Sequence, residues 1–276
     1  MRIDAHQHFW KYDPVRDSWI TEDMQKIQRD FLPSDLLEEI KVNQIEGTIA
    51  VQADESETET DFLLELAGEY DFIKAVVGWI DLKHELIDFQ LHERKKHHKL
   101  KGFRTITQGK QDEEYFKNKA FQRGMRHLAR HQFTYDLLIY QDQLPAAIQF
   151  TEKFPDQAFI LDHLGKPAIT AGELKKWREN IRILAQHPKT FCKLSGLVTE
   201  ADWKKWRYED LSPYLEIVGE YFGTDRLCFG SDWPVCLLAG SYSQVSGILT
   251  RFLEQLEPAE RENIWGNNAA NFYQLI

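Results

Sequence analysis

Eight short apolar segments recur along the chain, each followed by a segment with helical spacing, and this alternation constrains the fold more than any other feature. The first predicted strand begins near residue 3, and the others cover 47–53, 73–80, 100–106, 135–140, 158–163, 190–194 and 226–232. Strands that alternate with helices pair in parallel, because each helix returns the chain to the start of the next strand. Eight such units predict an α/β fold, a (β/α)8 barrel of the TIM type.

The length of the chain indicates one domain. The 276 residues are close to the roughly 250 typical of this barrel, and no linker rich in proline or glycine divides them. Two helical stretches, 241–256 and 258–275, follow the eighth strand. We therefore expect a single barrel domain over residues 1–276 with a C-terminal helical extension. The alternative, an open doubly wound sheet, usually has a glycine-rich turn after its first strand, where this chain has His6-Gln7-His8.

Two helix starts can be predicted from capping residues. Ser56 followed by Glu59 has the spacing of a capping box, which predicts a helix that begins directly after Ser56. Ser212-Pro213 has the pattern of a cap followed by proline at the first helical position, and Gly223 is the predicted end of that helix.

The charge balance bears on the partner and the cysteines on the compartment. The chain has 44 acidic and 34 basic side chains, a net charge of −10, which disfavours nucleic acid and anionic membranes as partners and favours a small molecule. No segment approaches the 18 or so apolar residues of a membrane span, and no secretory leader is recognisable. The odd, widely spaced Cys192, Cys228 and Cys236 fit reduced thiols, so we expect a cytoplasmic protein.

Polar side chains gather at the predicted C-terminal ends of the strands, where barrel enzymes have their active sites. His6 and His8 end the first strand, two residues apart and therefore on one face. On its own, this pair is as consistent with two half-exposed polar residues as with a functional site. However, His163 ends the sixth strand and Asp232 the eighth, so three histidines and an aspartate converge on one end of the barrel. The convergence favours a catalytic or metal site.

Five motifs occur in a fixed order along the chain. They are His6-Gln7-His8, Gly102-Phe103-Arg104, Asp162-His163-Leu164-Gly165-Lys166-Pro167, Lys193-Leu194-Ser195-Gly196 and Phe229-Gly230-Ser231-Asp232-Trp233-Pro234. In this set the chain resembles the amidohydrolase superfamily, and within it the sugar-lactone hydrolases of the L-fuconolactonase and L-rhamnono-lactonase type. The resemblance extends from Ile3 to the closing residues near Tyr273 and implies a distorted (β/α)8 barrel that hydrolyses at a carbonyl carbon.

The same resemblance implies roles for four catalytic residues. His6, His8 and His163 would hold a metal ion or polarise the lactone carbonyl directly, and Asp232 would orient and deprotonate the attacking water. General chemistry agrees with these roles, because hydrolysis needs a group that stabilises the developing oxyanion and a base for water.

One departure from the superfamily limits the metal content. Its binuclear members bridge two ions with a carboxylated lysine or a glutamate at the end of the fourth strand, where this chain has Arg104. We therefore expect at most one divalent ion, with zinc the favoured metal. The candidate ligands are His6, His8, Asp232 and His163. Action without a metal is the alternative that the residues leave open.

Five residues are candidates for binding the substrate. The fixed charge of Arg104 suits a carboxylate or a hydroxyl-rich molecule, the alternative being a salt bridge to Asp81 or Asp136 in the barrel wall. The others are Gln52, Tyr140, Lys166 and Trp233. For these the alternatives are packing in the core or pairing of Lys166 with an acid.

The predicted function is hydrolysis of a sugar-derived or related lactone in carbohydrate breakdown. Amide hydrolysis, decarboxylation and lactone isomerisation use the same carbonyl-polarising groups and remain alternatives. A barrel that only binds a sugar acid is a further alternative, but such a protein would have lost Asp232 or a histidine, and this chain retains all four. Neither the particular lactone nor the oligomeric state is predicted from the sequence.

Overall fold

The computed structural model describes residues 1–111 and 114–275, so positions 112, 113 and 276 of the predicted domain lie outside the described residues. Within that part of the chain, eight strands form one sheet in which every neighbour along the sequence is also a neighbour in space. The strands are β1 (Ile3–Gln7), β2 (Gly47–Val51), β3 (Ile73–Gly78), β4 (Leu100–Ile106), β5 (Thr134–Leu138), β6 (Phe159–Leu161), β7 (Thr190–Leu194) and β8 (Leu227–Phe229).

All seven adjacent strand pairs are parallel, which confirms the predicted (β/α)8 barrel. The sheet closes between β1 and the segment after β8 through two backbone hydrogen bonds. The amide of Asp232 donates to the carbonyl of His6 (2.8 Å), and the amide of His8 donates to the carbonyl of Trp233 (2.7 Å). Because the closing bonds lie at the C-terminal ends of both strands, the seam of the barrel is also the place where the predicted catalytic residues meet.

Helices separate the strands, and the helical extension follows β8. The α-helices are α1 (Pro33–Val42), α2 (Glu57–Glu69), α3 (Ile87–Arg94), α4 (Lys119–Arg130), α5 (Leu144–Thr151), α6 (Leu174–Leu184), α7 (Leu197–Glu200), α8 (Tyr208–Phe222), α9 (Tyr242–Leu253), α10 (Pro258–Glu262) and α11 (Asn268–Phe272). The predicted helix 258–275 is interrupted, because a π-helical turn, Asn263–Asn267, separates α10 from α11. No helix of the described residues is long and apolar enough to cross a membrane.

One helix start is confirmed and the other is wrong. The hydroxyl of Ser56 accepts a hydrogen bond from the amide of Glu59, so Ser56 caps α2 as predicted. The helix expected to begin at Ser212-Pro213 instead begins at Tyr208, because the Asp210 carboxylate accepts a bond from the Arg207 amide (2.9 Å). Pro213 then lies inside α8, where it lacks one backbone donor.

The apolar core has an inner and an outer part. Small and branched side chains of alternate strand positions fill the barrel, among them Ile49, Val77 and Ile160. Phe272 and Tyr273, at the end of the chain, pack against this inner cluster. A larger cluster fills the space between strands and helices. The two layers hold the strands rigidly, and the positions of side chains at the strand ends are fixed accordingly.

Candidate active site

Closure of the barrel brings Asp232 to the histidines of β1. Oδ1 of Asp232 lies 3.5 Å from Nε2 of His8 and 3.8 Å from Nε2 of both His6 and His163. The two Nε2 atoms of His6 and His8 are 3.2 Å apart. Each of the four side chains is buried. The structure thus brings the four predicted catalytic residues together around one carboxylate oxygen.

The hydrogen bonds of the rings decide which nitrogen atoms face that carboxylate. Nδ1 of His8 lies 2.7 Å from the carbonyl oxygen of Val51, which can only accept, so Nδ1 carries the proton and Nε2 presents a lone pair. Nδ1 of His163 pairs with Oγ of Ser195 at 2.8 Å. His8 and His163 are therefore both held by Nδ1 and turn Nε2 towards Asp232.

Burial governs the protonation of these groups. It lowers the pKa of His163 to about 4 and the pKa of both His6 and His8 below the usual value, so the rings are neutral near pH 7. Burial alone would raise the pKa of Asp232, but the charge of the imidazoles when they are protonated at low pH outweighs burial and holds that pKa below its ordinary value. The site therefore combines an ionised carboxylate with neutral imidazole rings near pH 7.

This set of atoms fits a divalent metal ion. Two ligands of tetrahedral zinc, each about 2.0–2.1 Å from the ion, lie roughly 3.3 Å apart. The spacings among Nε2 of His6, Nε2 of His8 and Oδ1 of Asp232 are 3.2, 3.5 and 3.8 Å, on either side of that value. His6, Asp162 and His163 form a second group whose ligand atoms lie within 4.8 Å of one another.

A fully buried charge network lies against His6. Nζ of Lys193 is 2.5 Å from Oδ2 of Asp136, 3.0 Å from Oδ1 of Asp162 and 3.1 Å from Nδ1 of His6. Arg104 completes the network, since its Nη1 lies 3.0 Å from Oδ2 of Asp162. Two cations thus balance two carboxylates. We call Asp136, Asp162, Lys193 and Arg104 the buried network.

The buried network reaches the end of the chain. The hydroxyl of Tyr273 donates to Oδ2 of Asp136 at 3.1 Å. Burial raises the pKa of Asp136 to about 6, although the nearby Lys193 acts against it. For Asp162 the order is reversed, because Lys193, His6 and Arg104 together overcome burial and hold its pKa well below the usual value.

Two predicted substrate-binding residues are tied into this network. The guanidinium of Arg104 donates to the backbone carbonyl of Gln52 and, at 3.2 Å, to Oε1 of the same residue. The side-chain amide of Gln52 in turn donates to the carbonyl of Arg104 at 3.1 Å. The alternative of a salt bridge for Arg104 is confirmed, but the predicted partners Asp81 and Asp136 are wrong, because the partner is Asp162.

The remaining three lie at different depths. The indole of Trp233 is buried and packs edge-on against Phe9 and Phe31, so its ring belongs to the core. Tyr140 is 41% exposed, and Nζ of Lys166 lies 5.5 Å from the centre of its ring.

Glu200, at the end of α7, is a neighbour of Lys166 that the sequence did not indicate. Its Oε1 lies 3.6 Å from Nζ of Lys166. We call Lys166 and Glu200 the rim pair.

Sequence reasoning also missed residues that orient the site. Asp4 accepts hydrogen bonds from the amides of Ser231 (2.9 Å) and His6 (3.1 Å) and from the hydroxyl of Tyr242 (2.9 Å), and so ties β1 to the loop that carries Asp232. Asp136 was considered only as a partner of Arg104, although it is the charged residue of the strand Thr134–Leu138. Asp162 stands directly before His163 in its motif.

Two curated relatives are similar over nearly their whole lengths. An L-fucono-1,5-lactonase of Burkholderia multivorans is 42% identical over 286 residues, covering 100% of this chain and 96% of the relative. An L-fucono-1,5-lactonase of Burkholderia ambifaria is 34% identical over 282 residues, with 99% and 96% covered.

A solved structure has the same fold as this chain. It is an amidohydrolase from Burkholderia multivorans with bound zinc, with a TM-score of 0.95, 41% sequence identity and complete coverage of both chains. The model of the amidohydrolase family matches residues 3–275. The resemblance in the five motifs is thereby confirmed, and the chain belongs to the amidohydrolase family.

Proposed function

We propose that the protein hydrolyses the cyclic ester of a sugar-derived 1,5-lactone, such as L-fucono-1,5-lactone. The observation that carries the proposal is the convergence of His6, His8 and His163 on Oδ1 of Asp232, at 3.5–3.8 Å. The two curated relatives are both named as lactonases of this kind, which supports the choice of substrate.

In the proposed mechanism Asp232 acts first as base and then as acid. Its carboxylate takes a proton from water while the water oxygen bonds to the lactone carbonyl carbon. When the tetrahedral intermediate collapses, the bond from that carbon to the ring oxygen breaks, and Asp232 returns the proton to the leaving oxygen. The product is a hydroxy acid, whose carboxyl group ionises and releases one proton to the solution.

We further propose that His6, His8 and Asp232, with His163 beside them, hold a single zinc ion. A bound divalent ion supplies a Lewis acid for the carbonyl oxygen. The rings themselves contribute neutral Nε2 atoms, which Val51 and Ser195 orient through Nδ1 of His8 and His163. Elemental analysis of the purified protein, with activity measured before and after chelation, tests this part.

Among the five candidate substrate-binding residues, Tyr140 and Lys166 are the best placed. Both are partly exposed. Arg104 and Gln52 are buried and bonded to each other, and Arg104 also contacts His6, so we assign both to the support of His6. Trp233 would act through its backbone at the seam.

We also propose that the chain forms one barrel domain with a C-terminal extension, that it acts on a small molecule and that it resides in the cytoplasm. Cys192, Cys228 and Cys236 are free and buried, the state that thiols keep in a reducing compartment, which supports the cytoplasm.

A panel of sugar lactones, assayed by proton release with a pH indicator, tests the function. The wild-type protein should open at least one 1,5-lactone, and D232N should lose about 10²–10⁴-fold in kcat with an unchanged thermal transition. Near-normal turnover by D232N would contradict the mechanism. Turnover of amides or aromatic acids in place of lactones would contradict the reaction.

A further inference from the structure

The turn after β6 adopts an unusual backbone that aims two side chains at the mouth of the barrel. His163, Leu164 and Lys166 all have left-handed conformations, with φ of 53°, 55° and 47°. Each such non-glycine residue costs on the order of 1–2 kcal/mol. The turn brings His163 to Asp232 and Lys166 to Glu200. Strain in a short segment that carries two charged or polar groups to one place is typical of a functional site.

The rim pair is held together loosely. Nζ of Lys166 and Oε1 of Glu200 are 3.6 Å apart, beyond the ~2.7–2.9 Å of a charge-assisted hydrogen bond. The two side chains are 18% and 22% exposed, so each is mostly buried but keeps contact with solvent. A hydroxyl oxygen beside the pair can lie about 2.8 Å from both atoms and bond to both.

Most of the hydrogen-bonding capacity of the pair is unused. An ammonium group has three donors and a carboxylate about four acceptor positions. Across residues 1–111 and 114–275, the remaining contact of the Lys166 ammonium is the ring of Tyr140, and neither charged group has an ordinary hydrogen bond to a third residue. Free donors and acceptors at a partly desolvated mouth are suited to a polar ligand.

The pair lies close to two of the predicted catalytic residues. Lys166 follows His163 by three residues and belongs to the same turn. The helix α7, which ends at Glu200, contacts the turn Val235–Leu238 that directly follows the Asp232 segment. A lactone whose carbonyl faces the histidines would therefore present a neighbouring ring substituent to the rim pair.

We propose that Lys166 and Glu200 recognise hydroxyl groups of the lactone, with the ammonium donating to a hydroxyl oxygen and the carboxylate accepting a hydroxyl proton, and with Tyr140 supporting Lys166. The assignment deepens the proposed function and rests on it, since it names the substrate class as lactones that carry adjacent hydroxyl groups. Glu200 is the specificity-determining residue that neither the motifs nor the buried network contains.

The test compares two six-membered lactones, L-fucono-1,5-lactone with hydroxyl groups and δ-valerolactone without them. For the hydroxylated lactone, E200Q should raise KM by about 10–100-fold with kcat changed by less than about 3-fold, because the contact is made before and during the reaction. For δ-valerolactone, KM and kcat should stay within about 2-fold of the wild-type values. K166M should show the same pattern.

A matched control is E220Q, the same substitution in the exposed pair of Glu220 with Arg178 (3.0 Å). E220Q should leave KM and kcat unchanged for both lactones. Equal losses of kcat for both lactones in E200Q would overturn the proposal, since they would make Glu200 a proton donor or a structural residue. Unchanged KM for the hydroxylated lactone would overturn it as well.

Binding of L-fuconate, measured by calorimetry, separates this proposal from the proposed function. E200Q should weaken fuconate about 10-fold or more and leave 5-hydroxyvalerate unchanged. If the wild-type protein opens neither lactone, the proposed function fails, and the calorimetric comparison decides on the rim pair by itself. Equal affinity of the wild type and E200Q for fuconate would overturn the role of the pair.

Discussion

The candidate site contains two systems of opposite charges that differ in their access to solvent. In the buried network, Nζ of Lys193 lies 2.5 Å from Asp136 and 3.0 Å from Asp162, and these side chains are fully buried. In the rim pair, Lys166 and Glu200 are 3.6 Å apart and about one fifth exposed. Ammonium and carboxylate groups therefore bond closely to each other in the buried network, whereas those of the rim pair keep hydrogen-bonding capacity for a ligand.

The difference separates support from recognition. A buried ammonium or carboxylate must be fully paired, because an unpaired charge in the interior is very unfavourable. The buried network consequently fixes His6 and has little capacity left for a ligand. The rim pair can exchange water for a ligand at small cost, since both groups already contact solvent. Depth in the barrel, more than residue type, decides which charges can recognise a substrate.

The largest effect is expected from breaking the buried network. K193M leaves Asp136 and Asp162 without their shared cation, and removal of one partner from a buried ion pair costs about 3–5 kcal/mol. We expect the free energy of unfolding, measured by denaturant titration, to fall by this amount. K166M, at the rim, should change it by less than about 1 kcal/mol.

The double variant K193M/D136N shows whether charge is the cause. It removes one cation and one anion together, and Tyr273 can still donate to the new amide oxygen. Most of the lost stability should return. A double variant as unstable as K193M would mean that the shape of the lysine side chain matters, and the contrast with the rim pair would then not be electrostatic.

A smaller effect is expected at Ser195, which orients His163 from the buried side. S195A removes the 2.8 Å partner of Nδ1, and loss of such a contact behind a metal ligand costs about 10–100-fold in metal affinity or activity. Zinc affinity, measured by competition with a chelator, should fall by that factor.

S243A serves as the matched control, because Ser243 bonds to Asn43 on the surface. It should bind zinc like the wild type. A zinc affinity of S195A equal to that of the wild type would exclude His163 from the metal site and leave it as a group that polarises the carbonyl.

The sequence predicted the fold well because the barrel repeats one unit. Strand-and-helix alternation defined all eight strands to within a few residues. The prediction was wrong at α8, where the N-cap is Arg207, five residues before Ser212, and the Asp210 carboxylate accepts a bond from its amide. A local motif at Ser212 does not exclude a competing helix start upstream, so helix boundaries are less predictable than the helices themselves.

The convergence of His6, His8, His163 and Asp232 could be predicted, because each lies at a strand end or within three residues of one. Residues inside strands or farther along the loops were harder to place. Glu200 belongs to a four-residue helix after β7, and nothing in its sequence neighbourhood distinguishes it from other acids. Which acid pairs with Arg104 could not be predicted either, because it depends on how far each strand is shifted along its neighbour.

Glu59 can be compared with Glu200 of the rim pair. It is a second partly desolvated glutamate, but its carboxylate is already bonded to the backbone. Its Oε1 accepts from the amide of Ala53 at 2.7 Å, and burial raises its pKa from 4.5 to about 7. The folded state therefore holds a proton that the unfolded state releases, so stability falls as pH rises from about 4.5 to 7. Between pH 5 and 7 the wild type should lose about 1–2 kcal/mol more than E59Q in denaturant titrations.

In E59Q the amide oxygen still accepts from Ala53, so the variant tests charge alone. Its ratio of KM values for the hydroxylated and plain lactones should equal that of the wild type, unlike the ratio for E200Q. A changed ratio of KM values would mean that Glu59, on the β2 side, also contributes to substrate recognition. Parallel curves of stability against pH for E59Q and the wild type would contradict the raised pKa of Glu59.

The smallest effect is expected at Tyr140, which touches the rim pair only through its ring. An ammonium over an aromatic face at a partly exposed site contributes about 0.5–1 kcal/mol, and the 5.5 Å distance from Nζ of Lys166 lies within the usual range. Y140L should therefore raise KM for the hydroxylated lactone about 2–5-fold, and Y140F, which keeps the ring, should not. If Y140F were as impaired as Y140L, the phenol hydroxyl would be the contact that matters. Tyr140 would then bind the substrate itself. In that case no residue would support the rim pair in the way that the buried network supports His6.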